Sequence, residues 1–344
     1  MTAPNLDETA QAIVAEGKGI LAADETPKTI TRRLTARSIE STPETRRQYR
    51  EMLFCTADIS SFLGAVILQD ETIRQQASTG KRLIDLLVEK AVIPGIKVDE
   101  GARPLAGSPG ELVTEGLDGL RERLQEYRGM GARFAKWRAV FRIADDGLPT
   151  QACVHANADA LARYAALCQE QGLVPIVEPE VLMDGAHTIE RCEEVTSHVL
   201  KVVFDELFEQ NVRLEGMLLK PNMVIAGQDC ARQASVGEVA QATLRTLRRL
   251  VPPAVPGVVF LSGGQSAALA TEHLAAINRL DGPKPWALTF SFGRALQDEA
   301  MDAWGGKHEN VPQGQKAFYR RAQLNSAAVA GRHYGETEGA AVQV

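Results

Sequence analysis

Short apolar runs recur along the chain, and each ends in a polar or charged residue. They are GILAAD at 19–24, AVILQDE at 65–71, GIKVDE at 95–100, RFAKWR at 133–138, VPIVEPE at 174–180, GMLLKP at 216–221, VVFLSGG at 258–264 and WALTFSFGR at 286–294. Runs this short, rich in β-branched residues and bounded by glycine or proline, predict buried parallel strands. Between them the apolar residues fall at helical spacing. Asn157 is placed to cap a helix that carries Leu161, Tyr164, Leu167 and Cys168 and closes at Gly172. Ile189, Cys192, Val195, Leu200, Val203, Phe204 and Leu207 form a second stripe on one helix face. The strands start roughly 30 to 45 residues apart, room for one βα unit each. Eight such units predict an α/β fold closed as a (β/α)8 TIM barrel. A doubly wound open sheet would need a glycine fingerprint after its first strand, and GILAADE has none. No low-complexity linker breaks the rhythm, so residues 1–344 read as a single domain. Its small, polar end from about Gly331 is expected to be mobile.

Composition narrows the functional classes. With 44% hydrophobic residues the chain can bury a large core. A net charge of -6 argues against a nucleic-acid partner, and it means an anionic ligand must be drawn by a local basic cluster. Cys55, Cys153, Cys168, Cys192 and Cys230 form no CxxC pair, and their odd number makes a poor disulfide framework, so a reducing cytoplasm is expected. The histidines show no HxxxH or HExxH spacing, so no metal is expected. The first residues lack a basic-then-apolar signal pattern, and no apolar run is long enough to span a bilayer, so no membrane partner is expected.

In a barrel, side chains near the carboxyl ends of the strands share one mouth, where the chemistry is done. Here they are Asp24, Lys97, Lys136, Arg138, Glu178, Glu180, Lys220, Ser262, Ser291 and Arg294. Lys136 and Arg138 are two apart on one strand, as are Glu178 and Glu180, so each pair points to one side. So many charges in one mouth are costly unless they pair or bind something. Lys220, desolvated and facing Lys136, is expected to give up its proton easily and to attack a ketone. Glu178 and Glu180 suit a general acid and base. SGGQS at 262–266 and SFGR at 291–294 each place glycine and serine where a helix opens, a phosphate-binding arrangement typical after strands seven and eight, with Arg294 as a fixed guanidinium. Each residue also has a plainer explanation taken alone. Lys220 can extend its head to solvent, the glutamates can form structural ion pairs with Lys136 and Arg138, and Asp24 can cap the next helix. Lys97 can be a surface cation, and Arg33 a solvated helical one.

The segments LAADE, GIKVDEG, FAKWR, VPIVEPE, LEGMLLKPNM, FLSGGQS and KPWALTFSFGRALQ, in that order, resemble the class I fructose-bisphosphate aldolases from about Gly17 to Arg332. The resemblance implies reversible cleavage of fructose 1,6-bisphosphate to dihydroxyacetone phosphate and glyceraldehyde 3-phosphate, in glycolysis and gluconeogenesis. It implies a Schiff base on Lys220 and no cofactor. Glu178 matches the main proton carrier, with Glu180 assisting; Lys136 and Asp24 match residues supporting the carbinolamine and the carbon–carbon cleavage. Arg294, Ser262, Gly263 and Gly264, with Ser291 beside them, match the ketone-side phosphate site. Lys97, Arg138 and Arg33 match the aldehyde-end side. The family is usually homotetrameric. Where many members have STGS after LAADE, this chain has Thr26-Pro27-Lys28-Thr29, whose threonines keep the hydroxyls. Eukaryotic members end in tyrosine, whereas this chain ends in Val344, with Tyr334 its last tyrosine.

Overall fold

Each apolar run forms a strand: β1 Gly19–Ala22, β2 Leu63–Leu68, β3 Ile93–Lys97, β4 Phe134–Phe141, β5 Val174–Val181, β6 Leu218–Leu219, β7 Gly257–Phe260 and β8 Ala287–Phe292. These are the strands of a computed structural model that describes residues 5–144 and 147–332. Every strand pairs in parallel with its neighbours in sequence, and β8 returns to β1, so the sheet closes on itself. Helices fill the connections and cover the outside, which makes the fold a (β/α)8 barrel.

The two-residue period of a strand divides the side chains between two cores. Ile20, Ala22, Ala65, Ile67, Phe134, Val174, Ile176, Leu218 and Val259 fill the barrel interior. Their chain neighbours Leu21, Val66, Ala135, Val177, Leu219 and Val258 pack outward beneath the helices. The interior is closed from below by a short helix, Leu6–Ile13, whose Ala10 and Ile13 join the inner cluster. Gly64 permits that close approach: a Cβ there would strike the Ile13 carbonyl oxygen. With the bottom and middle apolar, polar side chains of the inward set collect at the top.

Two features depart from the pattern read in the sequence. A two-stranded antiparallel hairpin, Gly101–Pro104 with Leu112–Glu115, follows β3. Asn157 is not a helix cap: it lies inside the helix Gln151–Glu170, which Thr150 caps by accepting a hydrogen bond from the Cys153 N–H at 3.2 Å. Asn157 is fully buried, and its amide serves the hairpin instead. It accepts from the Thr114 N–H at 3.1 Å and donates to the Leu112 carbonyl at 2.8 Å. Asparagine was a plausible cap because it bonds backbone so readily; here the backbone it bonds is tertiary. Asn157→Leu strips both hairpin groups of their buried partner. It should cost on the order of 3 kcal/mol, read as a lower urea-unfolding midpoint, while a surface control such as Glu170→Gln stays near wild type.

Candidate active site

The strand parity that fills the barrel continues upward into charge. Above Phe134 come Lys136 and Arg138; above Ile176 come Glu178 and Glu180; above Leu218 comes Lys220; above Ala22 comes Asp24. The register sets Lys97 beside Lys136 and Arg138 beside Glu178. All of these charged side chains but Lys97 line a cavity of about 660 Å³, together with Thr29, Arg33, Ser262, Gly263, Gly264, Ser291 and Arg294.

At its floor two lysines share one glutamate. Lys220 Nζ is 3.2 Å from Glu178 Oε1, and Lys136 Nζ is 3.3 Å from Glu178 Oε2, all three residues being buried. Lys136 also meets Asp24 at 2.7 Å and Asp99 at 3.8 Å. Burial opposes the Lys136 charge, but Asp24, Glu178 and Asp99 outweigh it and hold the ammonium above the ordinary lysine range. The same balance acts on Asp24. Burial would raise its carboxyl, while Lys136, then Lys220 and Lys97, hold it well below the carboxylate range. Lys136 is therefore a fixed cation with three carboxylates around it. Lys220 faces one. Higher in the mouth, Glu180 pairs with Arg138 at 2.5 Å.

The loops after β7 and β8 meet at the same cavity that Glu178 lines. Gly263 and Gly264 are both left-handed, at φ +57° and +84°, a conformation that opens their N–H groups to one side and that residues with a Cβ resist. Ser266 then caps the helix Ala267–Arg279, and Gly293 precedes the helix Arg294–Trp304, so both loops open helices as the sequence suggests. The Arg294 guanidinium lies against this loop: a Cβ on Gly264 would sit 3.4 Å from Nη2. Ser291 Oγ is buried at the cavity wall with no hydrogen-bond partner among the described residues.

The third wall is the helix Pro27–Thr35. Its cap is Thr26, whose side chain accepts from the Thr29 N–H at 3.3 Å, so Asp24 is a lysine partner and not a cap. Pro27 fits at the first helical position, where no N–H is needed. Arg33 is tied to Glu25 and, at 3.0 Å, to Asp298; Arg50 reaches the same Glu25 at 2.6 Å. Burial would raise the Glu25 carboxyl, but Arg50 and Arg33 prevail and lower it. Its neighbour Arg32 was not singled out in the sequence, yet it lines the cavity, exposed, with no carboxylate partner among the described residues. Arg294 is likewise exposed in the cavity, with no carboxylate partner among the described residues. Lys97 and Thr26 stand outside the lining; Lys97 is held by the Asp99 carboxylate at 2.6 Å. Asp99, buried between two lysines, was passed over although it sits two residues from Lys97. Among the described residues no set of His, Cys, Asp and Glu side chains could hold a metal ion, and no helix is long and apolar enough to cross a membrane. Tyr334 and the rest of the tail beyond Arg332 lie outside the described residues.

A buried lysine pair bridged by a carboxylate, in one cavity with a glycine-rich loop and two guanidiniums that have no carboxylate partner among the described residues, marks a (β/α)8-barrel enzyme with a mouth suited to an anionic substrate. Comparison with known proteins makes this specific. The family model for class-I fructose-bisphosphate aldolase matches residues 5–344. A probable class 1 fructose-bisphosphate aldolase of Xylella fastidiosa is 54% identical over 336 residues, which is 97% of this chain and 100% of that protein. Fructose-bisphosphate aldolase B of Bos taurus is 51% identical over 341 residues, 98% of this chain and 93% of that one. A crystal structure of fructose-bisphosphate aldolase from Plasmodium falciparum, in complex with TRAP and a small-molecule inhibitor, superposes with a TM-score of 0.95 at 50% identity, covering 96% of this chain and 95% of that one. The chain belongs to the class I fructose-bisphosphate aldolase family and is an aldolase, a lyase of sugar bisphosphates.

Proposed function

We propose that Lys220 forms a Schiff base with the C2 carbonyl of fructose 1,6-bisphosphate and that the enzyme cleaves it reversibly to dihydroxyacetone phosphate and glyceraldehyde 3-phosphate, in glycolysis and gluconeogenesis. The observation that carries this reading is the unequal treatment of the two buried lysines. Lys136 is locked as an ammonium by three carboxylates, whereas Lys220 has only Glu178, at 3.2 Å, as its carboxylate among the described residues. The attacking amine is accordingly Lys220. It adds to the ketone, Glu178 protonates the carbinolamine oxygen, and water leaves to give the iminium ion. Loss of the C4 hydroxyl proton then breaks the C3–C4 bond, whose electron pair passes to the iminium nitrogen as the aldehyde departs. The enamine takes a proton at C3, and hydrolysis returns the ketone and the free amine.

Glu180 assists the proton transfers from its place beside Arg138, and Asp24 with Lys136 supports the carbinolamine and cleavage steps. The ketone-side phosphate sits on Ser262, Gly263, Gly264 and Arg294, with the Ser291 hydroxyl beside it. The aldehyde-end phosphate faces Arg33, Arg138 and Lys97, with Thr26 and Thr29 at the adjacent helix start; on that side Arg32 is exposed and has no carboxylate partner among the described residues. A cytoplasmic homotetramer completes the reading, in keeping with a 51% identical Arabidopsis thaliana relative named as cytosolic. Borohydride reduction in the presence of dihydroxyacetone phosphate should inactivate the enzyme and leave the reduced adduct on the Lys220 peptide. A chelator should leave the rate unchanged, since the iminium supplies the electron sink. An active preparation that yields no adduct, or one mapped to Lys136, would overturn the assignment.

A further inference from the structure

One buried histidine has no part in the chemistry above. His273 lies in the helix Ala267–Arg279, 3% exposed, and its Nδ1 is 2.6 Å from Gln265 Oε1. Gln265 belongs to the phosphate loop. Its Nε2 donates to the Ser262 carbonyl at 3.0 Å and lies 3.8 Å from Met223 Sδ, three residues past Lys220. The carbonyl of Ser262 can only accept, so the amide nitrogen must face it and Oε1 must face the imidazole. That leaves His273 one role: Nδ1–H donates to Gln265. Its Nε2 is buried with no partner among the described residues. Burial pushes the imidazole down to about 4, so the ring stays neutral in this tautomer at working pH.

The chain of bonds runs from a buried ring, through one side-chain amide, to the residue that opens the Gly263–Gly264 turn. Those two left-handed residues have no side chains to hold them; the Gln265 N–H closes the turn by donating to the Ser262 carbonyl at 3.0 Å, and the Gln265 side chain ties it to the helix behind it. We propose that His273 is a positioning residue for the ketone-side phosphate: by fixing the Gln265 amide it holds the Ser262–Gly264 loop in its anion-binding shape. The inference rests on the phosphate site assigned above, and it adds a residue remote from the cavity to the determinants of substrate affinity.

A positioning role predicts loss of binding at preserved turnover. His273→Leu should raise KM for fructose 1,6-bisphosphate about tenfold, equivalent to about 1.4 kcal/mol, with kcat within about threefold of wild type. Inorganic phosphate, titrated calorimetrically, should bind about tenfold more weakly. His273→Asn should recover most of both, because an asparagine amide nitrogen can occupy the place of Nδ1. Gln265→Leu, at a less buried position, tests the same link should His273→Leu fail to fold, and the double variant should be no worse than either single one. A folded His273→Leu or Gln265→Leu with unchanged KM and unchanged phosphate binding would overturn the proposal, as would additive effects in the double variant. A purely structural role would instead lower the active fraction and leave KM alone. The phosphate titration needs no turnover, so a wild type that binds phosphate through His273 yet fails to cleave the bisphosphate would sink the reaction assigned above and not this one.

Discussion

Lys220→Arg should give a folded enzyme whose turnover of fructose 1,6-bisphosphate falls by roughly four orders of magnitude or more. Arginine keeps a positive charge beside Glu178, so the carboxylate is not left with Lys136 alone, and the longer side chain has the open cavity of about 660 Å³ to extend into. What arginine cannot do is lose its proton and attack a carbonyl. Lys136 cannot stand in for it, because Asp24, Glu178 and Asp99 keep that amine protonated. The variant should therefore show a thermal midpoint close to wild type, no borohydride-trapped adduct, and background turnover. Lys220→Met provides the contrast: it abolishes turnover too, but it also removes a buried partner of Glu178 and should lose stability. Turnover above about 1% of wild type in folded Lys220→Arg would place the nucleophile elsewhere.

Much of this site could be read from the sequence because strand parity is simple. Once GMLLKP is a buried strand and Leu218 faces inward, Lys220 must face inward as well, one layer higher. The same count from Phe134 fixes Lys136 and Arg138, and from Ile176 it fixes Glu178 and Glu180. What parity cannot supply is the distance between strands, so the sharing of Glu178 by two lysines emerged only in three dimensions. The expectation of mutual repulsion between Lys136 and Lys220 left out the carboxylate standing between them. Helices are less legible. Arg32 and Arg33 are adjacent on Pro27–Thr35 but about 100° apart around it, and only the packed orientation decides that, with both lining the cavity, Arg33 is buried and bound to Glu25 and Asp298 while Arg32 stays exposed. Asn157 and Asp24 show a further limit. Both have the chemistry of a cap, and in each case a threonine nearby took that role while the polar group found a more distant partner.

Glu178→Gln tests the division of labour between nucleophile and proton carrier. The amide keeps the shape of the carboxylate, but its single carbonyl oxygen can accept from only one of the two lysines that now take one carboxylate oxygen each, and it neither takes nor gives a proton. Loss of a general acid–base group should lower kcat by about 10²- to 10⁴-fold. The variant should remain folded, because Lys136 retains Asp24 at 2.7 Å and Asp99 at 3.8 Å. Lys220 is still present, so borohydride should trap the same adduct after long incubation, only formed more slowly; single-turnover trapping separates that rate from its final extent. Glu180→Gln should be milder, about tenfold in kcat, since Glu180 is already committed to Arg138 at 2.5 Å and does not contact either buried lysine in an ion pair. The ordering is the decisive reading. Should Glu180→Gln fall further than Glu178→Gln at matched stability, the proton carrier is the carboxylate higher in the mouth, and the one bridging the two lysines serves to hold them apart.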